Sequence, residues 1–167
     1  HKALTRINKA LGGEIELRLI EYIDFLQDHF KGGEVTVISG FRSPTYNTKL
    51  RTKGKLAAKA SLHQFGMAAD FKIAGVQSRA LWNFVREVKF GGVGHYGGES
   101  VHVDTGPARF WEQETSGVGT DVADKNKKII LVTDRDIYFP GENVSLTFAR
   151  MTAWPIGIHP SFELERK

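Results

Sequence analysis

A histidine and an aspartate stand seven positions apart in "SLHQFGMAADF", residues 61–71, with glycine and small or apolar residues between them. A second pair, His102 and Asp104, stands in "SVHVD" near residue 100. Either pair alone has an ordinary explanation: His63 as a capping residue and Asp70 as a buried, hydrogen-bonded acid, or His102 and Asp104 on a half-exposed strand. Together they supply two imidazoles and a carboxylate on separate segments. That is a donor set for a catalytic zinc, which takes three protein ligands and keeps a fourth position for water. The chain has no cysteine, so a metal would be held by His, Asp or Glu, and disulfides are excluded. No G-x-S-x-G motif offers a covalent nucleophile.

These residues need elements to carry them. Ile15, Leu19, Ile23, Leu26 and Phe30 recur at three- and four-residue steps, which predicts a helix over 13–30 stopped by "KGG". "EVTVIS" reads as a buried strand, "GFRSPTYN" as a turn, 45–53 as a short helix and 54–62 as a basic loop. Residues 67–73 read as a strand ending the first motif. A helix over 78–89 would bury Leu81, Phe84, Val85 and Val88. "VGHYGGESVHVDTG" reads as a β-hairpin. A loop at 97–100 would set Tyr96 opposite Val101 and His95 opposite His102, with His102 and Asp104 on one face and Val101 and Val103 on the other. Ser61 and Asn47 suit loop hydrogen bonds, and Trp82, Phe110 and Trp111 suit the core.

After Trp111 the composition turns polar, and residues 113–128 read as a linker. Strand-like runs follow at 129–133, 136–139, 143–151 and 161–166, with a turn at "PGEN". The expected organisation is a domain over 1–112, the linker, and a β-rich appendage or partial β-sandwich over 129–167.

The bulk properties agree with a globular protein of this kind. The chain has 167 residues, 41% hydrophobic and 25% charged, enough for a real core. A formal charge of +4 suits an anionic partner such as nucleic acid, wall polymer or a membrane surface. The basic "KLRTKGK" at 49–55 lacks the stacking aromatics of a nucleic-acid site, so no nucleic-acid partner is expected. No apolar run reaches membrane-spanning length. The chain opens at His1 without a methionine, which reads as a trimmed or mature form and leaves export open.

Three motifs in order, "SGFRSPTYNTKLR", "SLHQFGMAADF" and "GGVGHY…SVHVDTGPARFW", resemble the DUF882/YcbK-like branch of the M15 zinc peptidases. These act on bacterial cell-wall peptidoglycan and are related to D-alanyl-D-alanine carboxypeptidases and murein endopeptidases. The resemblance spans about residues 10–112 and leaves 113–167 unaddressed. It implies an α+β fold with a small antiparallel sheet flanked by helices, the LAS or D-Ala-D-Ala peptidase-like core. It implies zinc ligands at His63, Asp70 and His102, and a catalytic arginine at Arg42 facing a scissile carbonyl or substrate carboxylate. The base stays open between Glu99, three residues before His102, and Asp104, which could instead orient a ligand or exchange roles with His102. His95 could assist as a donor if it lies opposite His102. The implied activity is hydrolysis of a peptide bond in a peptidoglycan stem, by an endopeptidase or a carboxypeptidase, in the periplasm or cell envelope of an exporting cell. The alternative is a non-catalytic zinc-binding module of the same fold that binds wall or a protein. The β-rich tail, outside the resemblance, would cover one edge of the peptidase sheet, contact glycan or bind a protein partner.

Overall fold

Leu19, Tyr22, Ile23 and Leu26 line one side of the first helix, α1 (Leu17–Phe30), and all four are buried. That stripe closes over the inner face of a five-stranded sheet. The computed structural model describes residues 15–118, 128–152, 156–161 and 163. The first two residues expected for α1, 13 and 14, lie outside them. In chain order the elements are α1, β1 (Val35–Ser39), α2 (Pro44–Thr52), a 3-10 turn (Leu62–Phe65), β2 (Ala68–Ile73), α3 (Ser78–Val88), β3 (Gly92–His95), β4 (Val101–Asp104) and β5 (Arg109–Glu112). A second 3-10 turn (Gln113–Thr115) and a hairpin of β6 (Ile129–Thr133) and β7 (Leu146–Arg150) complete the order. The class is α+β, as expected.

Local chemistry explains the boundaries. Lys31 takes a left-handed conformation at the end of α1, and its N–H caps the Asp28 carbonyl. Ser43 Oγ accepts from the Tyr46 N–H at 3.2 Å, and Pro44 occupies the first turn of α2, where a missing N–H costs nothing.

The sheet runs β1-β2-β4-β3-β5. Four strands pair antiparallel, but β5 lies parallel to β3 on its outer side. The sheet is therefore mixed rather than purely antiparallel. The turn after β4 reverses the chain once more, so "RFW" is an edge strand rather than core. Phe110 is exposed and Trp111 half-buried, whereas Trp82 is buried as expected.

Alternation along β2 and β4 separates two environments. Ala69, Phe71, Val101 and Val103 join the main core with Leu81, Trp82 and Val85 of α3. Ala68, Asp70, His102 and Asp104 point the other way, with Asp70 paired to His102 and Ala68 to Asp104. The hairpin register differs by one residue from the expected one. Gly94 faces His102 and His95 faces Val101, because the loop takes in Tyr96 as well. His95 thus leaves the His102 face, and its ring meets Ser78 Oγ at 3.1 Å and the Gly97 N–H at 3.1 Å.

The β6–β7 hairpin packs on the outer face. Ala149 is buried with Leu62, Met67 and Ala68, and Ile130, Val132 and Met151 flank them. Arg18 of α1 ties the hairpin down through Thr133 Oγ1 at 3.2 Å and through Asp136. The run 136–139, expected as a strand, forms bends that leave Ile137 and Phe139 exposed. Of 161–166, only Ser161 and Glu163 are described, and neither is in a strand. Residues 119–127 of the expected linker lie outside the described residues.

Close strand approach at β3 depends on glycine. A Cβ at Gly91 would collide with the Asp104 backbone carbonyl, while one at Gly98 would meet nothing within 4 Å. Gly91→Ala is expected to lower unfolding free energy by about 1–3 kcal/mol through overpacking. Gly98→Ala should stay within about 0.5 kcal/mol of the parent. Urea unfolding of the two variants checks this, and equal midpoints would contradict it.

Candidate active site

The outer face of β2 and β4 and the first 3-10 turn bring three donors to one point. His63 enters from the turn, which closes at Gly66 in the left-handed region with φ 69°. The His63 carbonyl accepts the Arg42 N–H at 3.0 Å, which ties the turn to the segment after β1. Asp70 and His102 stand opposite one another on paired strands. His63 Nε2 lies 3.2 Å from His102 Nδ1 and 3.3 Å from Asp70 Oδ1. His102 Nδ1 lies 3.0 Å from Asp70 Oδ1. These three residues form the metal-competent group found among the described residues.

Outer partners decide which atoms face inward. His63 Nδ1 sits 2.7 Å from the Gly40 carbonyl. A carbonyl only accepts, so Nδ1 carries the hydrogen and Nε2 presents a lone pair in the neutral ring. His102 Nε2 sits 3.0 Å from Asp104 Oδ2, so in the neutral ring Nε2 carries the hydrogen and Nδ1 presents the lone pair. Arg42 Nη2 donates to Asp70 Oδ2 and Arg42 Nε to Ser39 Oγ at 2.8 Å, leaving Asp70 Oδ1 for the cluster. Three electron-rich atoms therefore converge, an arrangement that requires positive charge at its centre.

Asp104 anchors this arrangement. It is fully buried. Its carboxylate accepts from Arg109 Nη1 at 2.9 Å and Nη2 at 2.6 Å, from the Gly92 N–H at 3.2 Å and from the Gly106 N–H at 2.9 Å, besides His102. A buried carboxylate is tolerable only when paired and bonded in this way.

The ionisation states follow. Burial works against charge on Asp104, but His102 and Arg109 outweigh it and hold its carboxyl well below the usual range. Burial works against charge on Asp70 too, but the adjoining His102 and His63 rings outweigh it and hold its carboxyl well below the usual range. Burial pushes His63 down, with Asp70 pulling against it. Burial opposes charge on His102, but Asp104 and Asp70 on either side raise it to about 9, so in the metal-free cluster Nδ1 also carries a proton, which a bound cation would displace to free the lone pair.

The donor spacing fits a tetrahedral metal. Zinc–nitrogen bonds of about 2.0–2.1 Å put neighbouring ligand atoms about 3.3 Å apart, and the three separations here run from 3.0 to 3.3 Å. The cluster opens onto a cleft of about 330 Å³, lined also by Arg42, Tyr96, Arg109 and Trp111, and by Met151 just past β7.

Of the residues singled out in the sequence, His63, Asp70, His102, Arg42 and Asp104 come together. Glu99 does not. It is exposed in the β3–β4 loop, pairs with Lys72 Nζ at 2.8 Å and lines a different hollow with Ser78 and His95. Asp104 touches His102 from behind, on the atom turned away from the cluster. Asn47 does serve a loop, its Nδ2 donating to the Ala58 carbonyl at 2.9 Å. Arg109 and Tyr96 escape a reading of the sequence. The signal for Arg109 is the turn "TGPA", which folds an arginine back onto the aspartate five residues earlier.

The fold is α+β with this cluster on the outer face of its sheet, and comparison with known proteins specifies the family. A family profile described as peptidoglycan L,D-endopeptidase MepK (Peptidase_M15_2) matches residues 6–111, and the chain belongs to this M15 peptidase family. Peptidoglycan L,D-endopeptidase MepK of Escherichia coli K12 is 42% identical over 78 residues, 46% of this chain and 43% of the relative. The probable peptidoglycan L,D-endopeptidase MepK of Haemophilus influenzae is 40% identical over 83 residues, 49% of this chain and 45% of the relative. The chain thus spans less than half the length of these curated relatives.

Replacing the residue behind a ligand should weaken metal binding without abolishing it. Asp104→Asn is expected to lower zinc affinity about 10–100-fold, His63→Ala to remove measurable binding, and Glu99→Gln to change nothing. Competition titration against a chromophoric chelator checks this; an Asp104→Asn affinity equal to the parent's would contradict the role given to Asp104.

Proposed function

We propose that this protein is a zinc-dependent endopeptidase that hydrolyses an L,D peptide bond in the stem peptides of bacterial peptidoglycan. The observation that carries the reading is the convergence of three lone-pair donors, each turned inward by its own outer hydrogen bond. The curated relatives carry the name of that activity, and their names lend nothing to a carboxypeptidase. An enzyme acting on that substrate would work in the cell envelope or periplasm. No helix among the described residues is long and apolar enough to cross a membrane.

His63 Nε2, His102 Nδ1 and Asp70 Oδ1 would hold the zinc. The metal, when bound, supplies a Lewis acid and lowers the pKa of water to about 7. The chain's own residues do the rest. Arg42 grips the outer oxygen of Asp70 and keeps the inner one in place. Asp104, held by Arg109, keeps His102 in the correct tautomer. Lys59, Arg42 and Arg109 line the cleft with positive charge, which suits the carboxylates of wall peptides. Trp111, its ring 5.1 Å from that of His102, walls off the cluster on one side.

The residues assigned as possible bases take other parts in this reading. Asp104 is buried behind His102, and Glu99 faces a separate hollow. Among the described residues lining the cleft, Asp70 is the one acidic side chain. That observation also favours the second reading, a zinc-binding module of the same fold that binds wall without cutting it.

Mass spectrometry of purified muropeptides incubated with zinc-loaded protein separates the two. Cleavage of the L,D bond, lost with a chelator and restored by zinc, is the expected result. Intact stems that nevertheless bind the protein would support the non-catalytic module, and release of terminal D-alanine alone would overturn the assigned bond.

A further inference from the structure

Tyr96 follows β3 directly and lines the same cleft as His63, Asp70 and His102. Its phenol oxygen accepts the Trp111 indole N–H at 2.8 Å. An indole nitrogen only donates, so this bond uses a lone pair of the phenol and leaves its hydrogen to point elsewhere. The Tyr96 hydroxyl donates to no group among the described residues. The two guanidinium groups at the cleft are committed: Arg42 to Asp70 and Ser39, and Arg109 to Asp104 and the Pro107 carbonyl. Burial, with the nearby Asp70 charge, raises the phenol above its ordinary range, so it stays a donor at neutral pH. The Trp111 bond also orients the ring, since Trp111 is itself held by its own carbonyl, which accepts from Trp82 Nε1 at 3.2 Å.

We propose that the Tyr96 hydroxyl is a catalytic residue that donates a hydrogen bond to the scissile carbonyl oxygen as that oxygen gains negative charge. The inference rests on the hydrolytic reading above and adds a residue to it. A preorganised donor of this kind acts without a proton changing owner: the phenol keeps its O–H bond while the oxygen it faces becomes anionic. It explains how the cleft can stabilise an oxyanion when its guanidinium groups are occupied in holding carboxylates.

The test compares zinc-loaded parent, Tyr96→Phe and Trp111→Phe on a muropeptide substrate, with zinc content measured for each. Tyr96→Phe is expected to lose about 10²–10³-fold in kcat with KM and zinc content unchanged. Its affinity for a phosphinate peptide, which mimics the tetrahedral oxyanion, should fall by a similar factor, while its affinity for an uncleaved stem peptide stays level. Trp111→Phe keeps the hydroxyl and removes only the bond between the two rings, so it should lose far less. Equal losses in both variants would make Tyr96 a prop for Trp111 and overturn the proposal. So would a Tyr96→Phe variant with parental kcat, or one that has lost its zinc. A parent that cleaves no stem would bring down the hydrolytic reading and this inference together, whereas an active parent with an equally active Tyr96→Phe variant would bring down the inference alone.

Discussion

The charge on one inaccessible carboxylate, Asp104, governs the site. It is fully buried and persists only because a forked guanidinium, two backbone N–H groups and an imidazole surround it. In return it dictates which nitrogen of His102 keeps its hydrogen. If the Nε2 hydrogen moved to Nδ1, a donor would face His63 and Asp70 and the convergence of lone pairs would end. Room for the Asp104–Arg109 pair comes from Gly92, where a Cβ would collide with both side chains. A backbone choice in β3 thus reaches the converging donor atoms through two steps of contact.

The division of labour across the sheet follows from the two-residue period of its strands. One face of β2 and β4 buries Ala69, Phe71, Val101 and Val103 under the helices. The opposite face carries the chemistry. Asp70 and His102 need no loop to find each other, because strand pairing sets them side by side. His63 must come from outside the sheet, and the Arg42 and Gly40 bonds hold its turn against the end of β1. The hairpin of β6 and β7 covers the rest of that face through Ala149 and brings Met151 to the rim of the cleft. This part of the chain lies beyond residues 6–111, which the family profile matches.

Much of this was legible in residue patterns. Helical spacing located α1 and α3, and β-branched runs located β1 and β6. The spacing of His63, Asp70 and His102 pointed to a metal. Alternation placed His102 and Asp104 on a common face. The hairpin register was not legible, since one residue more in the loop costs little locally yet turns His95 away from His102. The parallel pairing of β5 depends on a chain reversal at "TGPA" that no periodicity records. Glu99 had the right spacing in sequence, but the loop carries it to Lys72 and solvent. Spacing alone could not tell a residue that joins the cluster from one that stands behind it, because that difference lies in ring orientation. Arg109 stayed hidden too: an arginine at the start of an edge strand looks like surface until its partner is known to be buried.

Anomalous scattering from a zinc-soaked crystal tests the central claim most directly, because it reports which atoms bind. The account predicts a single peak bonded to Nε2 of His63, Nδ1 of His102 and the Asp70 carboxylate, with Asp104 still bonded to the far side of the His102 ring. A peak between His102 Nε2 and Asp104, or an occupied site that leaves out His63, would contradict it.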